Sequence, residues 1–339
     1  MPQGFRLVVV VAVLAGGALS ACSTGGGDRL TIYSGRQQEL IGPLLDDFSD
    51  ETGIDIDVRY GDSADLALLI NEEGDRSPAD VYLSQSPGAV GFLDAEGRLE
   101  PIEESILELV PESFRSGDGR WVGISGRVRV LVYNTDLADP AELPASVFDL
   151  TQEQYRGQVG VAPSNASFQD FVTAMRELVG DDETLAWMEG LVANDVRTYA
   201  NNIAIVEAIG RGEIPFGLVN HYYNEEVKAE DPDAPSENYV FPGGDVGALV
   251  LVTAVGILDT AGGQEENAER FVEFLLSEDA QLFYAEETLE YPLAAGVDPV
   301  IEDLPPLAEI ASPPLDLSSL GGELTRTKEL IEQSGLEQA

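Results

Sequence analysis

Two adjacent tyrosines, Tyr222 and Tyr223, close the run Leu218-Val219-Asn220-His221. Within a strand, consecutive side chains point to opposite faces, so the two phenols could not reach one object. If a strand over 214–219 stops at Asn220 and a helical turn begins, successive side chains lie only about 100° apart and both hydroxyls can converge. Two phenol oxygens near a helix N-terminus, with the Asn220 amide beside them, suit a hard, highly charged cation accompanied by an anion. A tyrosine pair serves equally well as one core ring and one surface ring. The elements that position it decide between the two.

Candidates for the anion lie elsewhere in the chain. Arg127 and Arg129 stand inside the apolar β-like stretch 121–133. Both could snorkel to solvent or pair with the chain's many acids. Alternatively Arg127, at a bend softened by Ser125-Gly126, presents its planar fork to an anion between two lobes. Ser164-Asn165-Ala166-Ser167 separates a strand over 158–162 from a helix over 168–178. Small hydroxyl and amide residues there can form a nest of N–H groups for an anion, and Ser167 as an ordinary N-cap explains the turn as well. Tyr199-Ala200-Asn201-Asn202 precedes a helix over 203–209. Asn165, Asn202 and Tyr222 thus sit at three strand-to-helix junctions, which one sheet edge can bring to one pocket.

Several chemistries are excluded. His221 is the one histidine, and it reads as a helix-start or packing residue, so histidine triads for zinc or iron cannot be built. There is no Gly-x-Ser-x-Gly elbow, no phosphate-binding P-loop and no Gly-x-Gly-x-x-Gly turn after the first strand. Carboxylate pairs are too abundant for any one of them to mark a glycosidase.

Of the elements that must hold these residues, the N-terminus comes first. Residues 1–21 read as an export signal, with Arg6 before a short apolar core and Leu19-Ser20-Ala21-Cys22 closing it. That ending resembles a bacterial lipobox, which implies acylation of Cys22, anchorage to the membrane by lipid alone, and a tether over 22–29. Cys22 is the one cysteine, so the exported body has no internal disulfide. About 310 residues remain, enough for two lobes. A net charge of -44 makes nucleic acid and anionic membrane surfaces poor partners, and reads as adaptation to salt or to a charged cell exterior. Strands over 30–33, 54–58 and 79–83 alternate with helices over 38–48 and 63–70 and one opened by Pro87, an order that argues for parallel strands covered by helices. Ligands then sit at the strands' carboxyl ends, which marks the loops 34–38 and 84–86.

Four segments now fall in register with a known family: Ile32-Tyr33-Ser34-Gly35-Arg36; Arg76-Ser77-Pro78-Ala79-Asp80-Val81 with Leu83-Ser84-Gln85; the run from Ser125 to Tyr133; and Leu218 to Tyr223. Their order is that of the ferric-ion-binding proteins, the extracytoplasmic receptors of iron(III) ABC transporters, which the chain resembles from about Leu30 to its C-terminus. The resemblance implies an α/β, two-lobed type II periplasmic-binding fold, each lobe a mainly parallel sheet flanked by helices, with one lobe from 30–127 plus 252–304 and the other from 128–251 plus 305–339. It implies that Tyr222 and Tyr223 bind Fe(III) as phenolates, that binding releases protons and weakens in acid, and that there is no catalytic step. A synergistic anion (carbonate, phosphate or citrate) would lie on Ser164, Asn165 and Ala166, with Asn202, Asn220 and Arg127 beside it. A monomeric protein would hand its cargo to an ABC permease and ATPase. Arg36, Gln37 and Gln85 are the possible contacts from the first lobe. The two glutamines stand where many members carry histidine and glutamate, which admits a ferric chelate as cargo, or alternatively an anion or organic solute without metal.

Overall fold

The computed structural model describes residues 29–294, 296–297, 304–321 and 323–339; the expected export signal, Cys22 and most of the tether lie outside the described residues. Apolar spacing and turn chemistry produce the first elements in the expected order. Strand β1 (Arg29–Ser34) leads to helix α1 (Gln38–Thr52), which buries Ile41, Leu44, Leu45 and Phe48 on one face and ends at Gly53 with φ 74°. Then come β2 (Asp55–Tyr60), α2 (Ser63–Glu73), capped by Asp62, β3 (Val81–Ser84), α3 (Pro87–Ala95), with proline at its start, and the short α4 (Glu104–Leu107).

The long strand β4 (Trp121–Asn134) is buried along its whole length. Beyond it lie β5 (Val159–Val161), α5 (Ala166–Val179), α6 (Asp181–Ala193), β6 (Arg197–Thr198), α7 (Asn202–Gly210), β7 (Phe216–Asn220), α8 (Tyr222–Glu230) and β8 (Ser236–Tyr239). The chain closes with β9 (Val250–Ile257), α9 (Glu265–Leu275), α10 (Glu278–Glu287), β10 (Tyr291–Pro292) and α11 (Leu324–Ser334).

The strand order is β2-β1-β3-β9-β4-β7-β5-β6. β1 pairs parallel with β2 and β3, and β5 pairs parallel with β6 and β7. The stretch 121–133, read from sequence as broken at Ser125-Gly126-Arg127, is instead one strand that changes partners. Trp121 to Val128 pair antiparallel with β9, and Arg129 to Tyr133 pair antiparallel with β7. β3 and β4 both run antiparallel to β9, so β3 and β7 run in opposite directions. Their carboxyl ends therefore meet beside the middle of β4, where the two arginines stand. That meeting point is where ligand sites form in such sheets.

Candidate functional site

Tyr222 and Tyr223 are the first two residues of α8, and their ring centroids are 4.2 Å apart. His221 brings them together. Its N–H donates to the Val128 carbonyl at 3.0 Å, its Nδ1 accepts from the Val128 N–H at 3.2 Å, and its Nε2 meets the Leu289 carbonyl at 2.8 Å. Both ring nitrogens are thus occupied, and burial pushes the imidazole down to about 4. A neutral ring with no free nitrogen cannot ligate, so His221 fixes the chain where strand turns to helix. Its ring also packs on Tyr291 at 5.0 Å.

β8 grips the same turn. Asn224 accepts from Ser236 Oγ at 2.7 Å, and Asn238 Nδ2 donates to Glu225 at 2.7 Å and to the His221 carbonyl at 3.3 Å. Burial raises the Tyr222 phenol well above its ordinary value; repulsion by Tyr223 adds to this, and Arg127 opposes it.

The anion candidates gather around Asn165. Its side chain caps α5 by accepting from the Ser167 N–H at 3.0 Å, which corrects the reading of Ser167 as the N-cap. The Ser167 hydroxyl donates to the same oxygen at 2.7 Å. Asn202, fully buried, donates to Asn165 at 3.3 Å and to Ser167 Oγ at 2.9 Å, so two of the three junctions touch. Its own Oδ1 has no partner. Ser164 and Ala166 are exposed. Asn220 is buried at the end of β7, opposite Arg129.

Arg127 is buried and donates to the carbonyls of Gln85 and Val252. Its charge acts on Tyr222, Asp170 and Glu290. Of the first-half candidates, Gln37 is exposed before α1, and Gln85 is half-buried with its Oε1 unpartnered. Arg36 is spent internally: it is 1 % exposed, 2.8 Å from Glu290, and lies over the Tyr284 ring.

One group escaped the reading from sequence, and another, Arg129, was named there only as a side chain that could snorkel to solvent or pair with an acid. Asp170, one turn into α5, accepts from Ser86 Oγ at 3.1 Å, which links the two halves of the sheet, and burial raises its carboxyl to about 6 against the pull of Arg127. Arg129 is 2 % exposed beneath α5, between Phe168 and Phe171, and burial lowers it to about 9. No three described residues among His, Cys, Asp and Glu cluster as metal ligands. A cavity of about 910 Å³ lies beside Tyr291 and Leu307 and is lined by neither member of the pair.

A mixed sheet divided at one shared strand, with the polar candidates at the facing strand ends, is the architecture of the two-lobed type II periplasmic-binding class. The chain belongs to the bacterial extracellular solute-binding protein family, whose model matches residues 76–312. It is 30% identical to the Fe(3+)-binding periplasmic protein of Serratia marcescens over 96% of this chain and 94% of that one. It is 34% identical to iron uptake protein A1 of Synechocystis sp., covering 93% and 89%. Among solved structures, iron-bound HitA from Pseudomonas aeruginosa superposes with a TM-score of 0.82 at 34% identity, covering 91% of this chain and all of that one. A Trichodesmium protein in complex with iron and citrate ligands gives 0.79 at 28% identity, over 91% and 99%. The fold and the family expected from the sequence are the ones observed. These relatives are binding proteins, and this chain is a binding protein rather than an enzyme.

Proposed function

We propose that this protein is an extracytoplasmic receptor that captures ferric iron on Tyr222 and Tyr223, together with an anion, and delivers it to an ABC permease. The observation that carries the reading is the converged phenol pair at the start of α8, within the field of the buried Arg127 guanidinium. A trivalent cation is the partner that makes phenols give up protons, and the helix start favours the resulting negative charge. Ser164, Asn165, Ala166, Asn202 and Asn220 form the anion side, and the unpartnered Asn202 Oδ1 favours an anion or chelate that carries a hydroxyl. The Trichodesmium relative, in complex with iron and citrate ligands, supports a polycarboxylate there.

The partner change of β4 after Val128 supports a lobe boundary near 127/128, and the bounds at 251/252 and of 305–339 rest on the resemblance alone. Gln37 and Gln85 add hydrogen bonds rather than metal ligands, and Cys22 carries the lipid anchor. The test is a visible titration of the metal-free protein with ferric citrate at neutral pH. A saturable phenolate-to-iron band near one equivalent is expected, absent from Tyr222→Phe/Tyr223→Phe. No band in either protein would leave a receptor for an anion or organic solute without metal.

A further inference from the structure

In a chain with 62 acids against 18 basic residues, a buried arginine without a carboxylate is anomalous. Arg129 is such a residue. Its guanidinium lies over Phe168 and Phe171 at 5.6 and 5.2 Å, and its Nη2 donates to the Leu218 carbonyl at 2.7 Å. Nε and Nη1 are buried without partners. Taking a guanidinium out of water costs several kcal/mol unless an anion repays it. Two aromatic faces and one carbonyl repay little of that.

The position of Arg129 says where the repayment comes from. β4 places it opposite Asn220, two residues before the tyrosine pair. The phenols of Tyr223 and, more weakly, Tyr222 help it hold its proton against the effect of burial. We propose that Arg129 is the buried counter-charge of the fully loaded site, in which two phenolates and a polycarboxylate together outweigh the charge of the ferric ion; it is a positioning residue whose fixed charge costs stability in the empty protein and is compensated when that negatively charged complex forms. The proposal rests on the assignment of Tyr222 and Tyr223 as ferric ligands. It assigns Arg129 no direct contact with the cargo. Arg127, which reaches across to Gln85, stays on the anion side, so the two arginines of one strand do different work.

The consequence is a pair of opposite effects that an ordinary core residue would not show. Arg129→Met fills nearly the same volume between the two rings without the charge. The metal-free variant is expected to fold and to unfold at a urea concentration equal to or above that of wild type. Its ferric affinity, measured by citrate competition at one fixed pH, is expected to fall by about tenfold or more, with the visible band displaced. Arg129→Lys, which keeps a charge, is expected to restore part of the affinity and the wild-type band position. Wild-type affinity and band in Arg129→Met would overturn the proposal. So would a metal-free Arg129→Met that is destabilised or unfolded, because the arginine would then be structural. If wild type itself gives no band, the tyrosine assignment fails and the proposal fails with it.

Discussion

At the scale of single residues, the site depends on groups that never meet the cargo. His221 is held neutral because all its polar atoms are committed inside the protein. Its buried ring takes a proton only near pH 4, against an ordinary value of 6.5. The unfolded chain therefore protonates first. The stability that His221 contributes is complete above about pH 6.5 and is lost progressively as pH falls to about 4, a change of about 3 kcal/mol. Urea unfolding of metal-free wild type and His221→Asn between pH 7.5 and 4.5 checks this: their stability difference should shrink across that window. Glu290 behaves differently. Burial pushes its carboxyl up, but Arg36, Arg127 and a hydrogen bond from Ser125 outweigh burial and hold it below the ordinary range. Glu290→Gln would strand the Arg36 charge in the interior, and the expected loss is about 3 kcal/mol of unfolding free energy. An unchanged urea midpoint would show the ion pair to be dispensable.

At the scale of elements, the sequence disclosed what hydrophobic periodicity and turn residues encode. The helices around Phe48 and Phe171 and the strand that delivers the tyrosines follow from apolar spacing, and the family motifs pointed to the pair itself. β8 was not legible, and the reason is chemical. Its inward residues, Ser236 and Asn238, are polar because they grip the first turn of α8, so the strand lacks the apolar alternation by which strands are recognised. Asp170 was missed, and Arg129 misjudged as a side chain that snorkels or pairs with an acid, for a related reason. An acid among 62, or an arginine on a buried strand, reveals its role only when its neighbours are known. The seating of α7 was equally hidden. Gly160 and Gly217 face each other across β5 and β7, and a Cβ on Gly217 would lie 2.2 Å from Ile205 and 3.0 Å from Ile209. The glycine pair thus lets α7 settle on the sheet and brings Asn202 to Asn165. Gly217→Ala should push α7 outward, cost about 1–3 kcal/mol, and weaken the anion-dependent part of iron binding. Full stability together with undiminished anion dependence would refute that coupling.

At the scale of the whole molecule, the charge works against the cargo's own charge. Even if each of the 18 basic residues took two carboxylates, as Arg29, Arg156 and Arg211 do, 26 of the 62 acids would remain unpaired. Their mutual repulsion is screened as the Debye length shrinks from about 10 Å at 0.1 M salt to about 3 Å at 1 M. The metal-free protein should therefore melt at higher temperature in 1 M than in 0.05 M sodium chloride; an unchanged melting temperature would mean that the acids are individually solvated and exert no collective field. The same field reaches the ligand before any contact forms. Ferric citrate species of negative charge approach a surface of net charge -44, so their encounter is slowed by repulsion that salt relieves. The positive groups, Arg127 and Arg129, are buried at the cleft and act only at short range. Stopped-flow association with ferric citrate, followed at the visible band, should thus accelerate as ionic strength rises, whereas most oppositely charged pairs slow down. Dissociation, governed by contacts within the closed cleft, should change far less. An association rate that falls with salt would show that the cleft mouth presents a local positive potential strong enough to override the surface, and would move the decisive electrostatics from the whole molecule back to the two arginines.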